Sequence, residues 1–325
     1  MSRRAFDKKV EALLALRAAP LSTAAVEQLG KALQDKSNYV VSKAAALVGE
    51  LGVKALVQGL RSAFGLHLEG GAKSDPQCWA KNAIIQALRD LDHRDPDVFL
   101  SGLSHFQFEP VWGGRQDTAA ALRGNCALAL VQTALDDYTI RERLVDLLGD
   151  PERPVRVDAV RAMAQMANRE AQLALRLKAI VGDAEPEVVG QCFAALLDLN
   201  PLDHLGFVAK FLKAGDDAAL EAIAALGECR EACAVDVLRA AWPDARRHHA
   251  GRAMVRALGA SRHDQSVAFL MELLTESDVD IAADVITALA QSRFRERARG
   301  PVAAILETRR DRTLLSLYHR EFKEA

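Results

Sequence analysis

Apolar residues recur along most of the chain at steps of three and four. This spacing places them on one face of a helix with 3.6 residues per turn. Three stripes show the pattern most clearly: Val155, Ala159, Ala162 and Met166; Val188, Cys192, Ala195 and Leu199; Ile281, Val285 and Ala288. Period-two alternation and clusters of β-branched residues, which would indicate strands, are missing from the sequence. The pattern therefore predicts an all-α protein.

The predicted helices form a repeat. Short turns containing aspartate precede or begin successive Ala-rich helices, at spacings of 33, 33, 28 and 34 residues; these are Asp150, Asp183, Asp216, Asp244 and Asp278. Second amphipathic helices lie between them, as in REAQLALRLKAIV at 169–181. One helix pair cannot bury its own apolar face, so consecutive pairs are expected to stack. A repeat of about 34 residues predicts roughly eight to ten helix pairs in this chain.

One repeat carries a recognisable family pattern. LVDLLGDPERPVRVDAVRAMAQM at 144–166 combines a Leu-rich helix, an Asp-Pro turn, and a second helix that begins Val-Arg and continues with spaced alanines. YVVSKAAALVGELG at 39–52 is similar, with Lys43 near the place of the arginine. The chain resembles HEAT-repeat proteins, and among them the bacterial proteins with PBS-lyase-type repeats.

The resemblance to HEAT repeats implies a right-handed α/α superhelix. We expect residues 1–325 to form a single solenoid domain, closed by a C-terminal capping helix at about 309–323. The resemblance also implies that Asp150 and Arg156 belong to a polar ladder between repeats. Extended concave surfaces are where such solenoids bind their partners.

Two segments interrupt the repeat. GLHLEGGAKSDPQ at 65–77 is predicted to be a Gly-rich loop between helices. The second segment, an irregular insert at about 105–117, concentrates Phe106, Phe108 and Trp112 in a chain with only 5% aromatic residues. We expect this insert to pack against the solenoid, because long non-helical loops in compact folds are often functional and its aromatic content argues against disorder.

The insert and the helix after it contain the first candidate binding site. Trp112, Arg115, Asp117 and Arg123 offer a stacking surface, two cations and a hydrogen-bond acceptor. The structural alternative is that Asp117 caps the following helix, since aspartate is a preferred N-cap residue. The aromatic side chains would then only fill the gap left by a distorted repeat.

A second candidate is a basic cluster, comprising Arg246, Arg247, His248, His249, Arg252, Arg256, Arg262 and His263. His249, Arg252 and Arg256 share one face of a predicted helix. Such a row of cations suits an acidic protein partner or nucleic acid, as in the DNA-glycosylases built from HEAT-like repeats. Several acidic residues lie nearby in sequence, however, so an ordinary solvated helix face is the favoured interpretation.

The overall charge gives no strong signal for nucleic acid or a membrane surface. The chain has 42 Lys and Arg against 44 Asp and Glu, for a net charge of −2. Apolar runs fall short of the roughly 20 residues that cross a bilayer. Five cysteines in 325 residues argue against a disulfide framework and favour a reducing, cytoplasmic location. Cys229 and Cys233 lack further ligands with zinc-site spacing, so we predict buried thiols and no metal.

The sequence carries no recognisable catalytic signature: G-x-S-x-G, P-loop, HExxH and a GxGxxG before a helix are all missing. This absence does not exclude an enzyme. Because solenoids present extended concave surfaces, we expect a non-enzymatic scaffold or adaptor without a cofactor, which binds a protein or peptide on that surface. The alternative implied by the resemblance is an enzyme on a HEAT fold, either bilin-lyase-like or DNA-glycosylase-like.

Overall fold

The computed structural model describes residues 3–18, 21–213, 215–246 and 249–323, with side chains from residue 6 onward. Nineteen α-helices and one two-stranded β-hairpin lie in these ranges, which confirms the all-α prediction. Arg247 and His248, two members of the predicted basic cluster, lie outside the described residues. Within the described ranges, we find no helix with the length and apolar character needed to span a bilayer.

The chain divides into two compact units, Met1–Met166 and Ala167–Ala325, which are described separately. The expectation of one continuous solenoid domain stays a prediction. The elements of the first unit are α1 (Arg3–Ala15), α2 (Thr23–Ala32), α3 (Asn38–Glu50), α4 (Val57–Ser74), α5 (Trp79–Asp90), α6 (Asp97–Leu103), β1 (Phe108–Val111), β2 (Gly114–Asp117), α7 (Ala120–Leu130), α8 (Asp137–Leu147) and α9 (Arg153–Gln165).

The second unit consists of helices and short connections. Its helices are α10 (Arg169–Val181), α11 (Pro186–Leu199), α12 (Pro201–Ala209), α13 (Asp217–Glu228), α14 (Cys233–Ala245), α15 (His249–Ala260), α16 (Asp264–Glu276), α17 (Val279–Gln291), α18 (Arg295–Arg309) and α19 (Arg312–Glu321). The last of these lies within the segment for which the sequence predicts a capping helix, and it buries Leu314.

Alternate helices stack on each other in both units. In the first unit α3, α5, α7 and α9 pack in succession, and in the second α11, α13, α15 and α17 do the same. Small residues allow the close approach: a Cβ atom added to Gly49 would lie 3.0 Å from the Cα atom of Ala87. One added to Gly259 would lie 2.8 Å from the Cβ atom of Ala288. The Ala-rich stripes are therefore the contact surfaces of the repeat.

Several of the recurring aspartates act at helix N-termini. Asp216 and Asp278 cap α13 and α17 by accepting hydrogen bonds from the N–H groups of Ala219 and Ile281, which otherwise lack helical partners. Asp244 differs, because it lies near the end of α14 rather than in a turn. This placement explains why the spacing that leads to it is shorter than the others.

The Gly-rich loop predicted at 65–77 is wrong for most of its length. α4 continues to Ser74 because Leu60, Phe64 and His67 are buried along one face of the helix. Its backbone leaves helical geometry at Gly71, where φ is 54°. The insert at 105–117 is also ordered, because it contains the hairpin formed by β1 and β2.

Candidate functional site

The β-hairpin turns sharply at its outer end. β1 and β2 are antiparallel with Val111 opposite Gly114, so Trp112 and Gly113 form a two-residue turn. Gly113 has a φ of 89°, a left-handed conformation that glycine adopts without steric penalty. The side chain of Trp112 is fully exposed, at 104% of its reference area. The turn therefore holds a large aromatic ring out in solvent.

Glu109 attaches β1 to the loop between α4 and α5. Its buried carboxylate accepts hydrogen bonds from the backbone N–H of Gln77 at 2.7 Å, the Thr118 hydroxyl at 2.6 Å and the Gln107 side-chain amide at 2.7 Å. Burial alone would raise the pKa of Glu109, but these hydrogen bonds outweigh it and hold the pKa below its ordinary value. Two isolated four-residue strands are marginal in water, so this attachment supplies the order.

A buried ion pair lies directly beneath that attachment. Lys81 and Asp75 have no exposed side-chain surface, and their nearest charged atoms are 3.3 Å apart. The Lys81 ammonium also donates to the Gln107 side-chain oxygen at 3.0 Å, and the Gln107 amide donates to the backbone carbonyl of Asp75 at 3.0 Å. The Asp75 carboxylate in turn accepts the N–H groups of Ala80 and Lys81 at the start of α5.

Arg123 provides a second buried anchor. Its fully buried guanidinium donates to the Asp117 carboxylate at 2.7 Å and forms two hydrogen bonds with the Asp150 carboxylate at 2.8 and 2.9 Å. Asp117 also accepts the backbone N–H of Ala119 at 2.9 Å, but the N-cap residue of α7 is Ala119, so Asp117 does not cap this helix as the structural alternative expects. Asp117 and Arg123 thus offer no surface to a partner in this conformation, contrary to their assignment to the recognition patch.

Four of the exposed side chains in this segment are aromatic or positively charged; we refer to Phe106, Phe108, Trp112 and Arg115 as the hairpin tip. Pro110, Val111 and Gln116 are exposed as well. Phe106 and Phe108 are about half exposed, and their rings are nearly parallel with centroids 6.4 Å apart. The exposed Arg115 lies 5.9 Å from the Phe108 ring and donates to the Phe108 carbonyl at 2.9 Å. Trp112 therefore does not fill a gap in the fold, although Phe106 stacks on the buried Arg123 at 4.0 Å.

The anchors repeat a spacing that the sequence analysis recognised only once. An aspartate is followed six residues later by Lys or Arg in four places: Asp75 and Lys81, Asp117 and Arg123, Asp137 and Arg143, and Asp150 and Arg156. All of these residues are buried except Asp137 and Arg143. Arg156 donates to the backbone carbonyl of Asp150 at 2.8 Å. The Asp150 carboxylate is held by Arg123, 27 residues earlier in the chain. This shared spacing was the available signal that Arg123 is a structural residue.

The described part of the basic cluster is divided between two grooves. His249 and Arg252 are exposed and line a cleft of about 950 Å³, whereas the exposed Arg256 lines another groove of about 350 Å³. The larger cleft also contains carboxylates, and Arg252 approaches Asp284 at 3.2 Å. Its charged lining residues are Lys213, Arg246, His249, Arg252, Asp244, Asp278 and Asp280. None of its lining residues belongs to the hairpin.

Four of the five cysteines are buried as free thiols, and Cys233 is partly exposed. Burial raises the pKa of Cys78 to about 11 and that of Cys192 to about 12, so both thiols stay protonated near neutral pH. Cys229 is also buried, and burial raises its pKa. Across the described ranges, we find no group of three His, Cys, Asp or Glu side chains placed to hold a metal ion.

Comparison with known proteins adds no family assignment. No protein-family model matches the chain, and no curated protein matches it. Among solved structures, the crystal structure of an engineered protein matches with 18% identity over 91% of this chain and 87% of that chain. Its TM-score is 0.31, a likeness that carries no argument about fold or function. The HEAT family therefore stays a resemblance.

Proposed function

We propose that this protein is a non-enzymatic adaptor that binds a protein or peptide partner through the hairpin tip. The observation that carries the proposal is the full exposure of Trp112 at the end of an anchored hairpin. Tryptophan and arginine are enriched among the residues that dominate the energy of protein interfaces. The sequence led to a general expectation of binding on a concave solenoid surface. The proposal instead assigns binding to the four residues of the hairpin tip.

The buried hydrogen bonds that anchor the hairpin support a role in binding a partner. Binding loses less conformational entropy when the contacting side chains already sit on an ordered framework. Here Glu109 holds β1, and Arg123 with Asp117 holds the end of β2. The hairpin tip can therefore meet a partner without a folding step.

The charge of the hairpin tip selects among partners. Along residues 106–116 the exposed charged side chain is Arg115, since Glu109 is buried in its hydrogen-bond network. An aromatic surface with one exposed cation complements an apolar segment that carries a carboxylate. We thus propose a partner segment with an Asp or Glu beside apolar residues.

The test begins with capture from a native lysate and ends with purified components. Proteins retained by the wild type and lost by Trp112→Ala/Arg115→Ala are purified, and their dissociation constants are measured with both chains. Losing two interface anchors should weaken binding by about 30-fold or more, the effect of one residue worth 2 kcal/mol or more. Far-UV circular dichroism checks that the variant keeps its fold.

A matched double variant separates the hairpin tip from general surface stickiness. Leu66→Ala/Tyr138→Ala removes two other exposed apolar side chains, on α4 and α8, and should leave the dissociation constant unchanged. Equal affinity of the wild type and the Trp112→Ala/Arg115→Ala variant for every purified partner would overturn the proposal. Equal weakening by both double variants would overturn it as well.

A further inference from the structure

Three aromatic rings from three helices line one open cleft in the first unit. Phe6 of α1 and Tyr39 of α3 have ring centroids 5.7 Å apart, and Tyr39 and Trp79 of α5 have centroids 6.0 Å apart. The cleft has a volume of about 600 Å³. Trp79 is about half exposed although its neighbours Cys78 and Ala80 are fully buried. The cleft therefore presents aromatic surface to solvent.

The same cleft carries negative charge. Asp7 and Glu11 line it, and they lie four residues apart on α1, a spacing that places both on one face of the helix. Both side chains are exposed. The other lining residues in the part of the chain whose side chains are described are Val10 and Ser37, and neither is a cation. We refer to this arrangement of Phe6, Tyr39, Trp79, Asp7 and Glu11 as the aromatic cleft.

We infer that the aromatic cleft binds an alkylammonium group. The face of an aromatic ring carries negative partial charge and attracts a cation within about 6 Å of the ring centroid, most strongly for Trp. The carboxylates of Asp7 and Glu11 in the lining add an electrostatic attraction for cations that is absent for neutral apolar ligands. The pairing of aromatic walls with acidic residues is thus selective for positive charge as well as for apolar surface.

The chain itself supplies one example of the contact. The ammonium of Lys43 lies 5.1 Å from the centroid of the Tyr39 ring, so one of the three rings already accepts a cation. Lys43 stands four residues after Tyr39 on α3, where the two side chains are neighbours. An incoming cation meets the repulsion of this charge. Lys43→Met should consequently strengthen binding, by about threefold for a partly screened pair.

The direct test uses fluorine NMR of the full chain labelled with 5-fluorotryptophan. The sequence has three tryptophans, and the Trp79→Phe variant identifies the Trp79 resonance. Choline is titrated against its neutral isostere 3,3-dimethyl-1-butanol. We expect a saturable shift of the Trp79 resonance with choline, little shift with the neutral alcohol, and unmoved Trp112 and Trp242 resonances. Asp7→Asn/Glu11→Gln should weaken choline binding about threefold or more, whereas Glu69→Gln, on α4, should not.

A second set of titrants distinguishes the source of the ammonium group. Nα-acetyl-lysine methylamide and its Nε-trimethylated form represent a lysine side chain of a peptide. Choline represents a free small molecule. Binding of any of these cations supports the inference, and the tightest one names the source. The absence of a saturable Trp79 shift up to about 10 mM, or an equal shift by the neutral alcohol, would overturn it. The aromatic cleft and the hairpin tip are tested separately, so each proposal can fail alone.

Discussion

Arg123 shows how much a single buried cation contributes when two carboxylates depend on it. Arg123→Met removes the partner of Asp117 and Asp150 while both remain buried. Breaking a buried ion pair in this way destabilises a protein by about 3–5 kcal/mol, because it leaves uncompensated charge. We expect a decrease of that size in the free energy of unfolding, measured by urea denaturation.

Arg115→Met is the matched control, since it makes the same substitution at an exposed arginine on the neighbouring strand β2. It should change the free energy of unfolding by less than about 1 kcal/mol. Arg123→Lys keeps the charge but loses the paired hydrogen bonds to Asp150, so its stability should fall between the wild type and Arg123→Met. A stable Arg123→Met protein would contradict the anchoring role.

The low pKa of Glu109 makes the hairpin attachment depend on pH. Because its pKa in the folded chain lies below the ordinary value of 4.5, its ionised form stabilises the fold above about pH 4.5. This stabilisation is lost as the pH falls through the folded pKa. The wild type should thus exceed Glu109→Gln in free energy of unfolding at pH 7, and the difference should shrink as the pH falls below the ordinary value of 4.5. A constant difference across this range would contradict the assignment.

The burial of polar residues was the hardest feature to predict from the sequence. Most Arg and Lys side chains lie at protein surfaces, so the sequence favoured a surface position for Arg123 in a recognition patch. The contact between Arg123 and Asp150, which are 27 residues apart, shows that the charge is neutralised inside the fold. The role of Trp112 was equally open, because the residues around it in sequence do not show whether its ring is buried in a gap of the fold or exposed to solvent.

At the scale of elements, the stacking of alternate helices depends on small residues at the contacts. Gly259→Ala places a Cβ atom 2.8 Å from that of Ala288, closer than two carbon atoms can pack. Overpacking of this kind destabilises by about 1–3 kcal/mol. Thermal and urea denaturation should both detect the loss.

Gly206→Ala provides the opposite expectation on an uncrowded helix. Gly206 lies inside α12 with no atom within 4 Å of a Cβ added there. The substitution should stabilise the protein by roughly 0.5–1 kcal/mol, because alanine has the higher helix propensity. A similar gain for Gly259→Ala would mean that α15 and α17 do not pack as closely as described.

The elements were predictable where the apolar spacing is regular and unpredictable where tertiary contacts decide. The stripe through Val155, Ala159 and Ala162 indicated α9, and these residues are fully buried there. α4 was interpreted as partly a loop because its glycines lower helix propensity, yet the buried face of the helix outweighs that effect. The hairpin escaped prediction because its strands are short and contain Pro110, so their order depends on Glu109 and its distant partners.

At the scale of the whole molecule, the small net charge bears on the affinity of the basic cluster for nucleic acid. The chain carries −2 overall, and the cleft beside His249 and Arg252 is also lined by Asp278 and Asp280. Nucleic-acid affinity grows with the number of phosphates that cations neutralise, and nearby carboxylates oppose it. The mixed charge of the cleft therefore disfavours nucleic acid as a partner.

This reasoning gives a quantitative expectation for DNA. At about 150 mM salt, the wild type should bind a fluorescent 20-bp duplex more weakly than about 100 μM, the weak end of non-specific binding. Asp278→Asn/Asp280→Asn should tighten binding at lower salt, because it removes two negative charges while asparagine can still cap α17. If DNA binds in the cleft, adding Arg252→Gln to this double variant should weaken DNA binding again. Fluorescence anisotropy across a salt series measures all three, and tight wild-type binding with a steep salt dependence would show that the cations act despite their acidic neighbours.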